Sequence, residues 1–120
     1  MSIIGTKAIE AVWTVLTDAV LAAAVDLGGF SVDRILMPAT WTAADLTFQV
    51  SDDGGTTYRN LYWDWGAEMV VDAVASAAIE LSPFVRLNRI DHLIVRSGTS
   101  GVTVNQGADT TVILSVSARG

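Results

Sequence analysis

Polar and apolar residues alternate without a break from Asp45 to Ser51, and the run ends in Asp52-Asp53-Gly54-Gly55. Successive side chains of an extended strand point to opposite faces. Leu46, Phe48 and Val50 therefore share one face, and Asp45, Thr47, Gln49 and Ser51 share the other. The pattern predicts an antiparallel strand with one face packed and the other in water, entering a hairpin turn whose glycines supply positive φ. The same grammar recurs along the chain. Residues 32–37 read as a short strand stopped by Pro38, which has no amide to give a ladder. Residues 57–63 return from the first turn, Asp64-Trp65-Gly66 turns again, and residues 67–71 continue the meander. Residues 77–81 form a strand broken by Ser82-Pro83, and residues 91–96 and 110–117 are the last two. In the final one Val112, Leu114 and Val116 face inward while Thr111, Ile113 and Ser115 face the other way. Turn residues recur roughly every eight to twelve positions, the spacing of a sandwich or barrel.

The first 25 residues admit two readings. Ile9, Val12, Trp13, Leu16 and Val20 fit a helical stripe, with Glu10, Thr14, Thr17 and Asp18 opposite, and the alanines favour it. Read as strands, residues 12–17 and 21–27 flank a turn near Thr17-Asp18, and the Val-Trp-Thr-Val core favours that. The β-rich remainder of the chain tips the expectation to strands, with Gly28-Gly29 closing the second apolar run. Residues 11–25 resemble a signal-peptide core, but Glu10 and Asp18 interrupt it and it is too short and polar to span a bilayer. It is expected to be mature structure.

At 120 residues and 12.7 kDa the chain has the size of one domain. It has no cysteine, so disulfides and thiolate metal sites are excluded. A net charge of −6 and a pI near 4.4 repel a phosphate backbone, so no nucleic-acid partner is expected. Only 17% of residues are charged, against roughly 25% in ordinary soluble domains. Mean hydropathy is +0.45. A surface so short of charge implies that part of it is covered in a quaternary contact; the duller account is a β domain coated in Thr, Ser and Ala.

Chemistry is sparse. The lone His92 follows Asp91, and neighbours on a strand point apart, so Asp91 is not expected to orient the imidazole as in a triad. Asp52, Asp53, Asp64 and Glu68 are the local acids, but they fall at turns and lack a calcium-loop pattern. No catalytic residue, cofactor or metal is assigned. The aromatic group is more informative. Leu61, Trp63 and potentially Trp65 share one strand face, and Tyr62 and Asp64 the opposite one. Tyr62, Trp63 and Trp65 read as core filling, as anchors of a protein contact, or as a sugar-stacking platform. Trp41, just past Pro38, is expected to plug one end of the core.

Residues 26–29, residues 37–51, the Asp53-Gly54 turn, Asn60-Leu61-Tyr62, Arg96-Ser97-Gly98-Thr99-Ser100 and residues 104–109 together resemble a type of small tailed-phage virion protein. The resemblance covers roughly residues 20–118, and its motifs are turns and strands rather than a functional site. It implies an all-β, antiparallel β-sandwich of jelly-roll type, with residues 1–18 an N-terminal strand or arm and residues 19–120 the sandwich. It also implies a non-enzymatic virion component, a capsid decoration or cement protein or head-fibre module. The expected partners are the major capsid protein and further copies of the chain, often as a trimer, with no membrane. The expected location is the capsid surface, after assembly in the host cytoplasm. Thr17-Asp18-Ala19-Val20 and the aromatic run Tyr62-Trp63-Asp64-Trp65 depart from the pattern. The rival expectation is a carbohydrate-binding module for host adhesion, with a tail or neck component as a third.

Overall fold

The computed structural model describes residues 6–14, 20–28, 30–81, 87 and 90–117. Among these residues there is no helix, and hence none long and apolar enough to cross a membrane. Eight strands appear: β1 (Thr6–Trp13), β2 (Val25–Asp26), β3 (Ser31–Leu36), β4 (Leu46–Ser51), β5 (Arg59–Asn60), β6 (Ala78–Glu80), β7 (His92–Ser97) and β8 (Thr110–Ser117). They make two four-stranded antiparallel sheets, ordered β1-β8-β3-β6 and β2-β7-β4-β5. The chain is an antiparallel β-sandwich. Its pairings are nested: first strand with last, second with seventh, third with sixth, fourth with fifth.

Alternation explains which faces meet. Val112, Leu114 and Val116 of β8 are buried and their neighbours are half-buried, as the pattern of that strand predicts. Leu46 and Phe48 of β4 and Leu93 and Val95 of β7 face them from the second sheet. Full burial of side chains of this size stabilises the fold by about 1.5–3 kcal/mol each. In β3 the register shifts between Val32 and Arg34. This bulge lets Val32 and Ile35 both reach the core although they are an odd number of residues apart.

The N-terminal segment is a strand, but not where the pattern put it. β1 starts at Thr6 and ends at Trp13, and pairs with β8 along its full length, from Thr6 opposite Ser117 to Trp13 opposite Thr110. Eight consecutive pairings outweigh the local preference of the alanines. The proposed turn at Thr17-Asp18, Gly29 and the Ser82-Pro83 break lie outside the described residues. Trp13 is fully buried and donates its Nε1–H to the Val20 carbonyl at 2.8 Å. Trp41 meets it edge to face, with centroids 5.4 Å apart, and closes that end of the core.

Gly98 ends β7 and opens a hairpin in which it pairs with Thr103. It sits at φ 92°, and a Cβ there would come 2.5 Å from the Val102 carbonyl and 2.8 Å from the Val104 nitrogen. Both are backbone atoms that cannot swing aside. Gly98→Ala is therefore expected to destabilise the fold by at least about 2 kcal/mol, read from urea denaturation.

Candidate functional site

The outer face of β4 was expected to meet water. Only part of it does: Asp45 is exposed and Gln49 half-buried, but Thr47 is fully buried and Ser51 almost so. Ser51 is engaged by its own turn, its hydroxyl accepting the Gly55 amide. Thr47, in the β4–β7 register, lies directly opposite Arg96, whose side chain lies on that face only 5% exposed. A buried guanidinium is costly unless its donors are used. Here Nη1 donates to Glu68 Oε2 at 3.1 Å and to Thr47 Oγ1 at 3.3 Å, and Nη2 donates to Asn60 Oδ1 at 2.6 Å. Glu68 is itself only 13% exposed, and its carboxylate also accepts the Ser100 amide at 3.2 Å. Thr47 Oγ1 donates onward to the Gly98 carbonyl at 2.7 Å. This one cluster ties residues 60–68 and the 98–103 hairpin to the sheet.

The tied segment carries the aromatic residues singled out from sequence. Leu61 donates its amide to the Phe48 carbonyl and Met69 donates to the Leu61 carbonyl, so the chain doubles back along the sheet. Regular pairing with β4 is shorter than expected, being confined to Arg59 and Asn60. Residues 63–66 form the tip, with the Trp63 amide donating to the Ala67 carbonyl and Gly66 at φ 93°. Trp63 is half-buried against the core, and Trp65 stacks on it with centroids 4.8 Å apart and planes 9° from parallel. The two indoles share a side of the chain, but a turn brings them together rather than a continued strand. Tyr62 points the opposite way, beside Glu68.

Exposed large apolar side chains concentrate here. Tyr62, Trp65 and Val74 are 50%, 69% and 63% exposed, with Val70 between them. Val102, on the hairpin held by Glu68, is 72% exposed. Ala73, Val102 and Val104 line an open depression with Ala43, Ala44 and Gly98. Five of the six large apolar side chains exposed among the described residues thus lie on residues 62–74 or the adjoining hairpin, which nominates this edge for contact.

Of the local acids that fall at turns, Glu68 and Asp53 are drawn into separate interactions. Glu68 is committed to Arg96, and Asp53 is committed to its own turn. Asp53 Oδ1 accepts from Ser51 Oγ at 2.7 Å and from the Thr57 and Thr56 amides at 2.9 and 3.2 Å. Gly54 and Gly55 take the positive φ expected of them. The Ser51 hydroxyl and the Thr57 amide hold the Asp53 carboxyl down to about 2, from an ordinary 3.8. Asp91 was not expected to orient the imidazole of His92 as in a triad, and it makes no hydrogen bond to the ring, but it comes closer than strand alternation suggests. Asp91 precedes the first residue of β7, so strand alternation does not govern it, and its Oδ2 lies 3.1 Å from His92 Nδ1. No sequence signal marked Arg96, because an arginine bound for burial has the same local pattern as one bound for solvent.

Comparison with known proteins finds no match: no family model, curated protein or solved structure is significantly similar to this chain.

Two outcomes follow from the polar clusters. Glu68→Gln leaves a buried cation without its counter-charge and is expected to cost about 3 kcal/mol, while the double change Arg96→Met with Glu68→Met recovers most of that loss. Equilibrium denaturation of the single and double variants checks both. Asp53 has a folded pKa below its unfolded value, so its contribution is complete above about pH 4 and is lost as pH falls through 2. Asp53→Asn is expected to flatten the acid limb of the stability curve below pH 4 while leaving its shape at neutral pH unchanged, as read by thermal melts across that range.

Proposed function

We propose that this β-sandwich is a structural binding module of a phage virion, docking on the outer surface of the capsid shell through the edge formed by residues 62–74 and 98–104. The observation that carries the docking surface is Trp65, an indole left open to solvent on a tip that a buried ion pair holds rigid. A pre-positioned aromatic loses little conformational freedom on binding and fills a partner's pocket well. The low charge of the chain supports a contact role, and its net negative charge supports a place outside the shell, away from packaged DNA. The nested strand order supports the jelly-roll form of the sandwich. The virion assignment rests on the resemblance of the turn and strand motifs, and assembly as a trimer extends it. Many copies on one shell make modest individual affinities cumulative.

The carbohydrate reading has a specific obstacle. Trp63 and Trp65 cover one another, so the pair offers a sugar one outer indole face rather than two.

Purified protein added to capsids that lack it is expected to bind and raise their dissociation temperature. Trp65→Ala, at an exposed position, is expected to keep the wild-type melting temperature and weaken shell binding at least about tenfold, in line with anchor residues elsewhere. Absence of binding to shells at saturating protein removes the proposal. Glycan binding that depends on Trp65 while shell binding does not would replace it with the adhesion reading.

A further inference from the structure

We propose that Asp26, Asp91 and His92 form a binding site for a divalent transition-metal ion of the zinc type, on the outer face of the second sheet. Asp26 stands directly opposite His92 in the β2–β7 pair, so both side chains leave the sheet on the same face. Asp91 curls back from just before the strand. One donor atom from each of the three lies within 4.8 Å of the others.

The contact between Asp91 and His92 is unlike an ordinary hydrogen bond. Oδ2 is 3.1 Å from Nδ1, yet Nδ1 is buried without a hydrogen-bond partner among the described residues. The approach is close and misdirected. An ion roughly 2.0–2.1 Å from a nitrogen and an oxygen at the tetrahedral angle holds them about 3.3 Å apart, close to the separation seen, with the lone pairs converging on the ion rather than on each other. The separation therefore suits two ligands of one cation, and the metal would satisfy a buried nitrogen that makes no hydrogen bond.

The carboxylates are already oriented. Asp91 Oδ2 accepts the Gly54 amide at 3.1 Å, and Asp26 Oδ1 accepts the Gly28 amide at 2.9 Å, leaving its Oδ2 free at 3.9 Å from His92 Nε2. Such outer contacts are what fix metal ligands elsewhere. The Gly54-Gly55 turn also braces the imidazole: a Cβ on Gly55 would lie 3.6 Å from the His92 ring. Asp26 is exposed and faces Nε2, so joining an ion held by Nδ1 and Asp91 takes a rotation of its side chain that swings Oδ2 across the ring edge. One imidazole with two carboxylates matches borderline ions such as zinc or manganese. Calcium wants six to eight oxygens, and this set offers a nitrogen and two carboxylates. Three protein ligands leave room for water on the ion.

Arg96 lies four residues further along β7, roughly 13 Å away, so the site is separate from the aromatic edge. The test is titration of the full chain, free of any histidine tag, with Zn²⁺ by calorimetry and with Co²⁺ by visible absorption. The wild type is expected to bind one ion saturably and to melt at a higher temperature with Zn²⁺ present. His92→Gln is expected to abolish the Co²⁺ spectrum. Asp26→Asn, at an exposed position where folding is not at risk, is expected to weaken binding at least tenfold while Trp65→Ala leaves it unchanged. A wild type without saturable binding overturns the proposal, as does affinity undiminished by Asp26→Asn and His92→Gln in chains that melt normally without metal.

Discussion

A guanidinium taken out of water dictates what covers it. Arg96 emerges on the outer face of a sheet, where solvent would be its ordinary partner, and instead it is buried. The chain must then supply acceptors from above. Asn60 and Glu68 do so from an excursion that is barely a strand, and Ser100 reaches the same carboxylate from the neighbouring hairpin. Residues 61–74 have only isolated backbone pairings with β4, at Leu61 with Phe48 and at Val71 with Leu46, and this cluster adds side-chain ties between them. Gains of this kind are in placement more than in raw stability, because desolvating both charges offsets much of their attraction.

That placement sets the character of the exposed edge. A flexible loop bearing tryptophan would collapse onto any nearby apolar surface. Here Trp63 is anchored against the core and Trp65 lies flat on it, so one indole serves as the base for the other. The tip stays closed through the Trp63–Ala67 backbone bond and the positive φ of Gly66. A partner meeting this edge finds the aromatic surface already in position, with the depression beside Val102 as its continuation.

Much of the sandwich could be read from the chain because alternation is complete in β4 and β8, where one face is core and period two has no competitor. β3 was read with nearly the right bounds, although its bulge was hidden because an extra residue looks locally like any other. β1 was misplaced because Ala-rich segments carry little pattern of their own and take their register from β8. The polar face of β4 was partly misread for a different reason: Thr47 looks solvated, and only its long-range partner Arg96 shows otherwise. The aromatic residues of the edge were legible as a group, since Trp63 and Trp65 sit two apart. Their stacking depends on a turn. The meeting of Asp26 with His92 was out of reach, because it comes from cross-strand register between distant segments.

The nested pairing has a topological corollary. Thr6 and Ser117 are register partners on adjacent strands, so the two extremities of the sandwich converge at one corner of the first sheet. A short peptide bridging that corner would leave every ladder intact, and new openings could be cut at turns such as residues 52–55. Any polypeptide grafted at either extremity would project from that single corner, which belongs to the sheet opposite Arg96.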